Sequence, residues 1–229
     1  MNNKTEISTW IFDLGNTLMA IPDEFDEEIC LQKILGYTDT EQIRSIIYRL
    51  CDKFPSQNIE LFLQRFDQAV NPTSDQNLNL MIRNAWMKSV ESAQLKPGAW
   101  HILDKLRNAG MKLGLVSNTP PTSQYILDYL KLRDRFDIIV FSCDVGHLKP
   151  DPRIFKIVLE KFNVLPENTV IVGDKIRTDI LGGAILGMRS ILVEERLRCV
   201  VENGQNYVDA IIPKLTDLEN TEFYKRLVK

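Results

Sequence analysis

Thr9-Trp10-Ile11-Phe12-Asp13-Leu14-Gly15-Asn16-Thr17-Leu18 is the stretch whose reading decides the fold. Its first four residues form a short, nearly unbroken run of apolar and β-branched side chains, the pattern of a strand buried on both faces. Asp13 stands where that strand ends. Gly15 and Asn16 follow directly, and both residue types tolerate the tight turns that bring backbone close to a ligand. A carboxylate is thus presented from a rigid element into a crevice. By itself such an aspartate does no more than cap a turn, so its meaning depends on what the later strands carry.

From Pro97 onward helical and strand patterns alternate. Residues 99–108 read as a helix with Gly110 just past its end, 112–116 as a strand and 122–130 as a helix. Residues 138–141 read as a strand, 152–162 as a helix, 169–172 as a strand and 178–186 as a helix ended by Gly187. Strands at 190–193 and 210–212 and a terminal helix at 217–226 complete the pattern. This alternation predicts an α/β fold, a Rossmann-like parallel sheet with helices on both faces. In such sheets ligands bind at the carboxyl ends of the strands. The polar residues fall there: Ser117, Asn118 and Thr119 end one strand, His147 and Lys149 follow another, and Gly173 and Asp174 end a third, with Asp179 further on.

Between Ile21 and Leu95 the chain shows helical periodicity and little sign of strands. An acidic helix from Asp23 to Leu35 closes at Gly36, as helices often do. Thr38 and Glu41 resemble a capping box, opening a helix with Ile43, Ile46, Ile47 and Leu50 on one face. Ile59, Phe62, Phe66, Ala69 and Val70 repeat the pattern, and Leu78, Met81, Ile82, Ala85 and Trp86 repeat it again. Helices joined by short polar links predict a small bundle. Its position, directly after the first strand, predicts an inserted α-helical cap at 21–95 within a core made of 1–20 and 96–229. The aromatic stripes are read as packing, and Lys33, Lys53 and Arg65 as solvated.

Composition narrows the classes. With 229 residues, 44% hydrophobic and 26% charged, the chain has the make-up of an ordinary globular protein. A net charge of −3 speaks against nucleic-acid binding through a basic face. No apolar run is long enough for a bilayer, and no address signal is evident, so the cytoplasm and no membrane partner are expected. Cys30, Cys51, Cys143 and Cys199 are widely spaced and read as reduced thiols. Oligomeric state is not legible. His101 is read as a packed or surface side chain and His147 as a hydrogen-bonding support near the rim. Gly182, Gly183 and Gly187 read as helix packing and a helix end, and Arg196, Arg198 and Lys214 as surface charge.

The residues gathered on the rim suit phosphoryl chemistry. Asp13 and Asp174, from different strands, are able to hold Mg²⁺, a hard cation that prefers oxygen. A metal lowers the repulsion between an anionic nucleophile and an anionic phosphoryl group. Ser117, Asn118 and backbone amides at the next helix start suit phosphate oxygens. Lys149 supplies a point charge where oxygens gain charge in the transition state.

The stretches FDLGNTL, LVSNT, GHLKPDPRIF and VGDKIRTDILGGAILGM, in this order and spacing, resemble the four motifs of the haloacid dehalogenase (HAD) superfamily. The inserted helical segment resembles that superfamily's small helical cap. The resemblance implies a HAD-like core, Asp13 as nucleophile, and Mg²⁺ held by Asp13, the Gly15 carbonyl and Asp174. It further implies phosphate binding by Ser117 and Asn118, stabilisation of nucleophile and phosphoryl group by Lys149, and support from Asp179 and Thr17.

One position departs from the pattern. Phosphatases of the superfamily carry a second aspartate two residues after the nucleophile, where this chain has Gly15. Loss of a general acid-base forfeits about 10²–10⁴-fold in rate. Three readings follow. The first is Mg²⁺-dependent hydrolysis of a small phosphorylated metabolite through an aspartyl-phosphate, with water or a cap residue replacing the acid. The second is C–P or C–halogen cleavage of the phosphonatase or dehalogenase type. The third is a catalytically weak binding protein. The pattern of Gly173, Asp174 and Asp179 favours the first over a dehalogenase.

Overall fold

The structure, a computed structural model, describes residues 6–194, 201–202 and 205–225. Cys199, Arg196 and Arg198 lie outside them. Strand β1, Thr9–Phe12, is buried throughout. A two-residue strand, β2 (Met19–Ala20), leads to helices α1 (Glu27–Leu35), α2 (Thr40–Lys53), α3 (Ile59–Val70) and α4 (Gln76–Ser92). The chain returns through β3 (Gln94–Leu95), which pairs antiparallel with β2, Met19 opposite Leu95. The two crossings into and out of the helical segment therefore run side by side.

After β3 come α5 (Ala99–Asn108), β4 (Lys112–Ser117), α6 (Ser123–Tyr129), β5 (Ile138–Phe141), α7 (Ser142–Val145), α8 (Pro152–Phe162) and β6 (Thr169–Gly173). A π-type turn (Ile176–Ile180) runs into α9 (Leu181–Ala184). Then follow β7 (Arg189–Val193), the short pair β8 (Val201–Glu202) and β9 (Gln205–Asn206), β10 (Ala210–Ile212), a 3₁₀ stretch (Leu215–Asn220) and α10 (Glu222–Lys225). Six strands make one sheet in the order β10-β7-β6-β1-β4-β5. Every pairing in it is parallel.

Alternation along β1 explains the layers. Trp10 and Phe12 point into one core, which includes Ile102, Leu103 and Leu106 of α5. Ile11 points into the other, with Ile154, Phe155 and Val158 of α8. Successive strand side chains face opposite ways, so a parallel strand with helices over both faces must be apolar at every position. The first core continues into the helical segment through Leu31, Ile43, Ile47, Phe66 and Trp86. There Trp86 meets the rings of Phe62 and Phe66 edge-on at 5.8 and 5.6 Å, the geometry aromatic quadrupoles favour.

Element ends differ from expectation where short-range hydrogen bonds decide them. Helix α1 starts at Glu27 and not at Asp23. The amides of Phe25 and Asp26 close a turn on the Pro22 carbonyl, and Asp26 caps the helix by accepting from Ile29 N. For α2 the capping residue is Asp39, which accepts from Gln42 N at 3.1 Å, while Thr38 donates to the Gln42 side chain. The terminal helix expected at 217–226 breaks at Thr221, whose hydroxyl bonds Leu218 O and accepts from Tyr224 N, so one turn ends and another begins there. Residue 226 lies outside the described residues. The helix expected from 178 instead opens as the π-type turn at 176. Met81 and Ala69 are exposed and not on the packed stripe. Among the described residues no helix is long and apolar enough to cross a membrane.

Candidate active site

Asp13 sits at the carboxyl end of β1, its amide bonded to Val172 O of β6. The turn behind it is made by Asn16, which takes the left-handed conformation (φ 58°). Gly15 does not, so its glycine is not required by backbone geometry. Thr17 donates from Oγ1 to Asp13 Oδ2 at 3.3 Å.

Lys149 reaches in from the loop after α7. Its ammonium donates to Asp13 Oδ1 at 2.5 Å, to Asp179 Oδ1 at 2.6 Å and to Val116 O at 3.0 Å. All three donors of a lysine are thereby used. The second oxygen of Asp179 accepts from Lys175 N. The π-type turn and Gly173 make this possible, since a Cβ on Gly173 would lie 2.5 Å from Asp179 Cβ. Burial by itself pulls the Lys149 ammonium down, but Asp13 and Asp179 outweigh it and the net shift is upward. Asp13 is shifted up, chiefly by burial, with Lys149 opposing and Asp179 adding.

Asp174 ends β6 on the other side of Asp13. Oxygens of Asp13, Asp174 and Asp179 lie within 4.8 Å of one another. Burial first, then Asp13 and Asp179, push the Asp174 carboxyl up to about 7. Its Oδ1 is buried with no hydrogen-bond partner. Two of the three carboxylates pair with the buried Lys149 ammonium, and the unmatched oxygen of Asp174 fits a hard divalent cation. Asp179 is committed to Lys149 and Lys175 and Asp13 to Lys149 and Thr17, which leaves the Asp174 Oδ1 as the unpartnered oxygen of the three.

A cavity of about 180 Å³ opens between this rim and helices α1 and α2. Gly15, Ser117, Asn118 and Lys175 line it from the sheet side; Glu28, Arg44 and Tyr48 line it from α1 and α2. Ser117 is buried at its edge. The Asn118 side chain, expected to meet phosphate, spans the backbone of Lys149, accepting from Lys149 N at 2.7 Å and donating to Lys149 O at 2.9 Å. It holds the lysine loop in place.

The haloacid dehalogenase-like hydrolase family matches residues 7–187. This chain belongs to that family. A glyceraldehyde 3-phosphate phosphatase of Pyrococcus abyssi is 30% identical over 198 residues, covering 81% of this chain and 80% of that protein. A phosphoserine phosphatase of Thermus thermophilus is 32% identical over 118 residues, 51% of this chain and 47% of the relative. Among solved structures, a 2-haloacid dehalogenase of Pseudomonas syringae superposes with a TM-score of 0.69 at 25% identity, covering 96% and 99% of the two chains.

For this HAD-like hydrolase, sequence reasoning missed the cavity's far wall. Lys33 and Lys53 are exposed, and Arg65 stacks on Phe54, 4.8 Å from the ring centre. Arg44 and Tyr48, one helical turn apart on α2, line the cavity instead. The signal available was their position beside the buried face marked by Ile43 and Ile47. His147 is half-buried with Nδ1 unpartnered, and His101 is a surface side chain against Glu219. Gly182 and Gly183 leave no room for a Cβ, which would lie 2.6 Å from Phe155 and from Ile171.

Proposed function

We infer that this HAD-like hydrolase is a phosphatase acting on a small phosphorylated metabolite, by attack of Asp13 on phosphorus to give an aspartyl-phosphate that water then cleaves. The observation that carries this reading is the Asp13 carboxylate, fixed by Lys149 and Thr17 beside an unpartnered Asp174 oxygen, on the rim where Gly15 and Ser117 line a polar cavity. The phosphatase names of the sequence relatives support it.

Lys149 and Thr17 orient the nucleophile, and Asp179 keeps Lys149 charged and aimed. Ser117 and Lys175 are the cavity groups suited to phosphoryl oxygens. Mg²⁺, when bound by Asp13, Asp174 and the Gly15 carbonyl, would neutralise charge between nucleophile and phosphoryl group. Residues 21–95 act as the cap that excludes water from the cavity, and free Cys30, Cys51 and Cys143 are in keeping with a cytoplasmic enzyme.

The test is turnover of alkyl phosphates, phosphonoacetaldehyde and haloacids with and without Mg²⁺. Wild type should hydrolyse alkyl phosphates only with the metal, Asp13→Asn should lose at least about 10³-fold, and Gly15→Asp should gain about tenfold or more. A Cβ at position 15 meets nothing within 4 Å, so the added carboxyl has room. Haloacid turnover without metal would replace this reading by carbon–halogen cleavage.

A further inference from the structure

Gly15 leaves an opening where phosphatases of this family place an acid, and the structure leaves it unfilled. Of the side chains on the cavity's far wall, two are already engaged. The Arg44 guanidinium grips Glu28 with two hydrogen bonds, at 3.1 and 2.5 Å, and holds Glu41 at 2.9 Å. Glu28 is neutralised by the same contacts. Glu27 also lines the cavity, but its Oε2 is sealed from solvent without a partner.

Tyr48 is different. It lines the cavity with Gly15 and Ser117, and its hydroxyl has no hydrogen-bond partner among the described residues. Its ring is anchored in the helical segment's core while its polar tip is free, the usual division of labour for a tyrosine at a cavity wall. The hydroxyl lies within the electrostatic field of the catalytic pair. Burial first, then Glu28, push it up to about 12, with Arg44 and Lys149 opposing and Asp13 adding. It therefore stays protonated across the physiological range.

We propose that Tyr48 donates the proton to the leaving-group oxygen in place of the carboxyl absent at position 15. This role rests on the phosphatase reading. An Asp13 oxygen forms a bond to phosphorus as the ester P–O bond breaks, and that bond's electron pair passes to the departing alkoxy oxygen. This oxygen takes the phenolic proton, leaving as neutral alcohol and Tyr48 as phenolate. In the second half water attacks phosphorus, the bond to Asp13 breaks, and the water's proton returns to Tyr48 as phosphate forms. An alkoxide is a stronger base than a phenolate, so the first transfer runs downhill. A p-nitrophenolate leaving group needs no such help.

The experiment compares an alkyl phosphate with p-nitrophenyl phosphate for wild type, Tyr48→Phe, Gly15→Asp and the double variant, each with a thermal melt. Tyr48→Phe should lower kcat for the alkyl ester by about 10²-fold and for the aryl ester by no more than about threefold. In the Gly15→Asp background the same change should cost the alkyl ester no more than about threefold, because the new carboxyl takes over the proton. A displaced or unstable α2 would not be rescued in that way. Equal losses on both esters, no loss on the alkyl ester, or failure of rescue overturns the role of Tyr48 alone. Wild type inactive on both esters overturns the phosphatase reading together with it.

Discussion

Burying charge beside this cavity has two outcomes, seen at Lys149 and at Glu27. Lys149 meets two carboxylates and stays charged. Glu27 meets none of opposite charge, and burial first, then Asp26 and Glu28, push its carboxyl from 4.5 up to about 7. The folded chain then holds a proton between those values that the unfolded chain releases. Stability from this group is fully present below 4.5 and is lost as pH rises through about 7. Relative to Glu27→Gln, wild type should lose about 1–3 kcal/mol between about pH 4.5 and about pH 8, measured by urea unfolding. Parallel pH curves for the two proteins would contradict this. Asp13, Asp174, Asp179 and Lys149 were nameable from sequence because their types and order repeat a known pattern. Tyr48 was not, since periodicity tells which face of α2 is apolar and not which polar residue on its margin faces a cavity.

Among the elements, the end of β6 and the end of β1 make opposite demands on their glycines. Gly173 is required because Asp179 sits where its Cβ would be, and Gly15 is not, because its Cβ would meet nothing. Gly173→Ala should therefore cost about 1–3 kcal/mol through overpacking and lower turnover by moving Asp179 off Lys149. Gly15→Ala should stay within about 0.5 kcal/mol of wild type. Chemical denaturation of both variants checks the contrast, and an equal cost at the two positions would refute it. Strands and most helix cores were legible because burial on both faces leaves a continuous apolar run. The ends of α1, α2 and the last helix were not, since Asp26, Asp39 and Thr221 win them through one or two side-chain hydrogen bonds each, which neighbouring Asp and Thr residues were equally equipped to make.

For the whole molecule, the sheet gathers carboxylates that repel one another, so a cation able to sit among them should stabilise the fold. At about a hundred times its Kd, Mg²⁺ should add about 2.7 kcal/mol, seen as a rise in Tm for wild type. Asp174→Asn should show no such rise, because it lacks the carboxylate whose oxygen is unpartnered. Equal shifts in both proteins would argue against an ion at that position. The helical segment bears on this as well: the paired crossings β2 and β3 join it to the core, and its Glu28, Arg44 and Tyr48 line the cavity together with Gly15 and Ser117.

The amino-acid order alone determined the α/β class, through local periodicity, and the family and the carboxylates and lysine of the rim, through four short motifs at the ends of strands that resemble a known pattern. Only the tertiary structure decided that Asn118 grips the Lys149 loop, that all three lysine donors are spent, that Asp174 keeps an unmatched oxygen, and that Tyr48 lines the same cavity as Gly15. These are contacts between segments far apart in the chain, and their geometry is set by packing, which no short window of sequence contains.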